Sequence, residues 1–122
     1  MSETTIKDYE EIAKVLNQYI EGNASGNSEV MKPAFYKDAI MYGFESEGLV
    51  EGSIQNLYNH VDQVGPAQNL QARADIIDIV GTVASAHIKL ENAHGATYTD
   101  FFQLLKVDGE WKVISKLFHR HS

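Results

Sequence analysis

The sequence predicts an α+β fold in which three N-terminal helices pack on a strongly curved, mainly antiparallel sheet, within one domain spanning residues 1–122. Three observations predict it. In the first half, apolar residues recur at the three-and-four spacing of amphipathic helices. From Leu70 onward the period switches to two, the spacing of strands. Asp108-Gly109 then stands between two runs rich in β-branched and aromatic residues, a strong short-range hairpin signal. Helices grouped ahead of consecutive strands must pack on one face of the meander those strands form.

Residues 6–21 read as the first helix, with Tyr9, Ile12, Ala13, Leu16, Tyr19 and Ile20 on one face. The small and polar residues from Gly22 to Gly26 are expected to stop it. Asn27 or Ser28 can cap a second helix carrying Val30, Met31, Ala34 and Phe35, which Pro33 keeps short or bends. Ile40-Met41-Tyr42 reads as a strand that breaks at Gly43, and residues 48–51 as a brief return strand. A third helix starts at Gly52-Ser53, buries Ile54, Leu57, Tyr58, Val61 and Val64, and ends at Gly65-Pro66. Residues 73–80 and 83–90 are strands joined at Gly81-Thr82, and residues 92–95 turn the chain into the last hairpin. Its arms are residues 97–106 and 110–118, around Val107-Asp108-Gly109. A three-residue loop would set Asp100 opposite Lys116, and a two-residue turn would set it opposite Leu117.

Both hairpin arms are apolar on both faces. Helices must cover one face, and a second layer or second subunit the other. The expectation is a homodimer through the outer sheet face around Val113 and Leu117. A curved sheet closed by helices leaves a cone with a cavity between its layers, suited to a small hydrophobic or cyclic ligand.

Composition narrows the function classes. With 122 residues, 43% hydrophobic, the chain supports a single core. The formal net charge of −7 disfavours nucleic acid as a partner, since phosphates call for clustered Lys and Arg. No apolar run is long enough to span a membrane, and Met1-Ser2-Glu3-Thr4-Thr5 lacks a basic, apolar leader, so a cytoplasmic location is expected. With no cysteine, disulfides, thiolate metal sites and cysteine nucleophiles are excluded. There is no phosphate loop, dinucleotide fingerprint, metalloprotease helix or serine elbow, and neither cofactor nor metal is expected.

Several short motifs, taken in order, resemble the nuclear transport factor two-like superfamily, which includes ketosteroid isomerases and polyketide cyclases. They are Gln18-Tyr19, Phe35-Tyr36-Lys37-Asp38-Ala39, Gly48-Leu49 with Gly52, Glu91-Asn92, Thr99-Asp100-Phe101-Phe102, Leu104-Leu105-Lys106 and Asp108-Gly109-Glu110-Trp111-Lys112-Val113. Within that superfamily the chain is similar to the Putative lumazine-binding family. The resemblance implies a cone-shaped α+β barrel of cystatin-like type over nearly the whole chain. In ketosteroid isomerases a first-helix tyrosine and a protonated late-strand aspartic acid form the oxyanion site, and a first-strand carboxylate abstracts the proton. Tyr19 and Asp100 match the first two roles, whereas Gly43 stands where the base would lie.

The candidate catalytic residues are therefore Tyr19, Asp100 and Lys116. Asp100 and Lys116 are the charges nearest the middle of two apolar arms, where an ionised group must be paired or neutralised. Lys116 can hold an anionic or carbonyl-bearing ligand, or act as a Schiff-base amine; its competing reading is a stem laid along apolar surface with the charge in water. For Tyr19 and Asp100 the competing readings are a core tyrosine bonded to backbone and a purely structural ion pair. Met41, Tyr42, Leu57, Tyr58, Phe102 and Phe118 are candidate cavity walls. His60, His87 and His94 read as exposed, and His119 with His121 as a frayed tail without a third metal ligand. Three function classes follow: a small-molecule-binding domain; an isomerase, cyclase or dehydratase acting on a carbonyl-containing cyclic substrate; and an interaction module without a ligand.

Overall fold

The computed structural model describes residues 4–121. Helix α1 (Ile6–Ser25) opens on a capping box, in which the Thr5 side chain accepts from the Asp8 amide and the Asp8 carboxylate accepts from the Thr5 amide. Its buried stripe is Asp8, Ile12, Val15, Leu16, Tyr19 and Gly22, so Tyr9 and Ala13 lie outside it. The helix runs one turn beyond the expected stop, because Gly22 lies inside it. A Cβ there would come within 2.7 Å of Met31 Cε, so the glycine lets the next helix approach. Gly26, at φ 66°, is the left-handed C-cap.

Helix α2 (Ser28–Met31), capped by Asn27, passes into a single 3₁₀ turn at Lys32–Ala34 that accommodates Pro33. Strand β1 (Phe35–Glu45) and the short β2 (Gly48–Val50) precede helix α3 (Gln55–Val64). Val64, expected on the buried face of α3, is 40% exposed. Strands β3 (Gln71–Val80), β4 (Val83–Ala93), β5 (Ala96–Val107) and β6 (Glu110–His121) complete one six-stranded sheet of order β2-β1-β6-β5-β4-β3. All neighbours are antiparallel except β1 and β6, so the sheet is mixed. The core joins Ile12 and Leu16 of α1 and Leu57 and Val61 of α3 to Ile88, Phe102, Leu104, Trp111 and Val113 of the sheet.

Four expectations are corrected. Gly43 does not break β1. It pairs with Phe118 in register, and a Cβ at 43 would come within 2.5 Å of the Phe118 ring, so the glycine makes room for that side chain. The hairpin turn has two residues, Asp108 at φ 51° and Gly109 at φ 80°, yet Asp100 faces neither Lys116 nor Leu117. A bulge shifts the register between Gln103↔Ser115 and Leu104↔Val113, which sets Asp100 opposite Phe118 and Phe102 opposite Lys116. Val113 is 1% exposed and belongs to the core, not to the outer face. His119 and His121 are strand residues, and the His121 ring bonds Thr99 Oγ1 at 2.8 Å.

Candidate functional site

The bulge in β6 decides what the site contains. Before it, Trp111 and Val113 point into the core. The extra residue, Ile114, shifts the alternation by one, so beyond it Lys116 is buried and Phe118 and Arg120 reach the cavity. On β5 the alternation brings Tyr98, Asp100 and Phe102 to the same side. Tyr19 reaches them from α1. Its hydroxyl donates to Asp100 Oδ2 at 2.6 Å, and the two residues are 2% and 0% exposed.

Above this floor lies a cavity of about 350 Å³ between α1, α3 and the concave face of the sheet. Tyr19, Met41, Leu57, Val61, Lys116 and Phe118 are among its walls. Of the residues expected there, Tyr58, Asp100 and Phe102 are not part of the lining. Asp100 is held by the Tyr19 hydroxyl, and Phe102 packs edge-on against the Tyr19 ring at 5.0 Å. Tyr58 turns to a shallow depression beside Lys32, whose Nζ lies 5.4 Å from its ring centroid. Tyr42 is 38% exposed and lies outside the lining.

Lys116 is 6% exposed. Its Nζ contacts Met41 Sδ at 3.7 Å and lies 5.3 Å from the centroid of the Tyr19 ring and 5.0 Å from that of Phe118. The aromatic faces favour a cation, but a thioether is a weak acceptor for three N–H donors. Burial pushes the Lys116 amine below its ordinary range, against the opposing pull of Asp100 and Glu45. Burial likewise raises the Asp100 carboxyl, an effect that Lys116 and the Tyr19 hydrogen bond oppose. The Tyr19 phenol is raised by burial first and then by the neighbouring Asp100 charge. Removal from water thus drives all three groups toward their uncharged forms. Among the described residues Asp100 Oδ1 has no hydrogen-bond partner.

In the isomerase pattern the phenol and the acid both donate to one oxygen. Here they are bonded to each other, forming a chain of donor and acceptor. The position expected for the base is Gly43, covered by the Phe118 ring.

The sequence reading missed the mouth of the cavity. Glu45 Oε1 accepts from Arg120 at 2.9 Å and Glu45 Oε2 accepts from Tyr98 at 2.8 Å, bridging β1, β6 and β5. Burial, then Glu45, pushes the Tyr98 phenol up to about 12. His60 and His94 complete the rim; both are exposed as expected, but they border the opening. The signal for Tyr98 and Arg120 was the inward alternation carried two residues beyond Asp100 and Phe118. Among the described residues no cluster of metal-ligating side chains occurs, and no helix is long and apolar enough to cross a membrane.

The model of the family described as Putative lumazine-binding matches residues 7–119. Aldolase FrzH of Cladobotryum sp is 31% identical over 118 residues, covering 96% of this chain and 94% of the relative. A solved structure of an NTF2-like protein of unknown function from Shewanella baltica is 41% identical with a TM-score of 0.92, over 99% of both chains. Another, from Methylobacillus flagellatus, is 41% identical with a TM-score of 0.93, over 98% of this chain and 97% of that one. A ketosteroid isomerase-like structure from Parabacteroides distasonis has 15% identity and a TM-score of 0.68, over 98% of this chain and 95% of that one, and shares the fold alone. By the span of the family match and the identity of its relatives, the chain belongs to the Putative lumazine-binding family, on the nuclear transport factor two-like, cystatin-like fold.

Proposed function

We propose that the protein binds a small, largely apolar cyclic molecule in the cavity between the helices and the curved sheet, with a carbonyl or similar polar group directed at Lys116. The observation that carries this reading is a cavity of about 350 Å³ whose buried polar floor is Lys116 with Tyr19. An apolar pocket with a few convergent polar groups is the usual form of a small-molecule site. Native mass spectrometry of the purified protein is expected to show a small-molecule adduct that denaturation releases. Cyclic carbonyl compounds are expected to raise the melting temperature, since a ligand at 100 times its Kd adds about 2.7 kcal/mol of stability. A protein that carries no adduct and is stabilised by no such compound would overturn the reading.

A second reading is favoured by the same lysine and by the relative described as an aldolase. In it the cavity converts a carbonyl compound, in the manner of an isomerase, cyclase, dehydratase or aldolase, with Tyr19, Asp100 and Lys116 as the reacting or proton-holding groups. Turnover of a carbonyl substrate that Lys116→Met abolishes separates this reading from simple binding.

The proposal includes a homodimer. On the outer sheet face the His87 and Phe101 rings stack at 4.1 Å. Beside them Val83, Phe101, Leu105 and Leu117 are 50%, 50%, 36% and 51% exposed. A second copy covering this face would remove them from water.

A further inference from the structure

We propose that Lys116 is a Schiff-base nucleophile, its ε-amine attacking the carbonyl carbon of an aldehyde or ketone seated in the cavity. This deepens the carbonyl-binding reading above and rests on it. Two lysines on neighbouring strands differ sharply in how their charge is met. Lys106 sits as a structural lysine does: its Nζ lies 3.0 Å from Asp8 Oδ1, the same carboxylate oxygen that accepts from the Trp111 indole at 3.0 Å. Lys116 is more deeply buried, yet no carboxylate lies within ion-pair distance of it among the described residues. Among the described residues its amine has one hydrogen-bond partner, the Met41 thioether. A structural role would pair the charge, because an unpaired buried ammonium is costly. An amine that reacts as a nucleophile must instead keep its lone pair available, which desolvation promotes.

The surroundings fit the chemistry of imine formation. In the neutral amine, the nitrogen lone pair forms the new C–N bond while the carbonyl π pair moves onto oxygen. The nitrogen gives up two protons in turn and the former carbonyl oxygen gains two, the second as the C–O bond breaks to release water. The balance is Lys-NH₂ plus R₂C=O giving Lys-N=CR₂ plus H₂O, with no oxidant or reductant. Tyr19 lines the cavity with its ring 5.3 Å from this amine, and behind it Asp100, whose Oδ1 is buried and unpartnered among the described residues, is the group suited to hold a proton between those steps. Tyr19 fixes the other oxygen of that carboxyl and so orients it. The apolar walls restrict water, which favours the imine over its hydrolysis. Seating the lysine on a central strand holds it in place as the substrate enters, because β6 is hydrogen-bonded on both sides, by β1 and β5.

The test is reductive trapping at pH 7 with benzaldehyde and sodium cyanoborohydride, followed by peptide mapping. Benzyl alcohol, which cannot form an imine, serves as the binding control by thermal shift. Lys116 is expected to be alkylated at least about tenfold faster than Lys7 and Lys37, whose side chains stand in water at 81% and 78% exposure. In Lys116→Arg, which keeps a cation but removes the nucleophile, the fast adduct is expected to vanish while labelling of the exposed lysines is unchanged. Labelling of Lys116 no faster than Lys7 and Lys37, with benzyl alcohol still stabilising the protein, overturns the nucleophile and leaves the binding reading standing. Absence of both fast labelling and stabilisation overturns both. The mapping uses the unaltered chain, so the outcome does not depend on the variant folding.

Discussion

Asp100 shows how one side chain can be both costly and informative. Burying a carboxyl at 0% exposure with one oxygen unpartnered opposes folding, and the Tyr19 hydrogen bond offsets only part of that cost. Because burial raises its pKa in the folded state, the folded protein holds this proton more tightly than the unfolded chain does. The stability tied to that proton is full below the ordinary carboxyl value of 3.8 and is lost as pH rises through the raised value. Asp100→Asn cannot titrate there. Its melting temperature is therefore expected to gain on that of the parent as the pH is taken from about 4 to about 8, with the difference read by calorimetry at each pH. A difference that stays constant across this range would contradict a raised Asp100. Lys116 is lowered by the same desolvation, so the charge of each opposes a shift that burial imposes on the other. The sequence exposed both residues because a charge inside an apolar strand is conspicuous, but it could not separate a structural pair from two groups without direct contact.

At the scale of elements, β1 and β6 form the cavity through a single close approach. Gly43 pairs with Phe118, and an added Cβ would come within 2.5 Å of the ring and 2.6 Å of the Phe118 carbonyl oxygen. A side chain can turn away, but a backbone oxygen cannot. Gly43→Ala is expected to cost about 1–3 kcal/mol in denaturant unfolding through overpacking. It should also weaken ligand uptake by displacing Phe118 from the cavity wall. Unchanged stability would show that the strands can part at no cost. The same element illustrates where sequence reading stopped: a glycine in a strand pattern reads as a break unless its partner across the ladder is known. The β6 bulge had no signal of its own, because the phase of Lys116 and Phe118 depends on how Ile114 meets β5. Helix α1 was legible in its periodicity, although its stripe begins at Asp8, a carboxylate buried because Thr5, Lys106 and Trp111 all hydrogen-bond to it.

For the whole molecule, the outer sheet face carries the remaining prediction. Leu117 is 51% exposed on a central strand, where one face of the sheet is core and the other is apolar as well. Sedimentation at micromolar concentration is expected to give a dimer, and Leu117→Lys a monomer, because a stable interface of about 1,200–2,000 Å² cannot bury an unpaired ammonium at its centre. A monomeric parent would contradict the homodimer. Helix and strand order, the Asp108-Gly109 turn between the last two strands and the inward position of Tyr19 were determined by the sequence itself. Each depends on local periodicity, or on one residue whose chemistry does not suit its neighbours. Tertiary structure alone decided the parallel pairing of β1 with β6, the one-residue shift that brings Phe118 opposite Asp100, and the Glu45–Arg120–Tyr98 bridge at the mouth. The bridge joins residues 53 and 75 positions apart. Such contacts are set by the packing of elements against one another, which no local window of sequence contains.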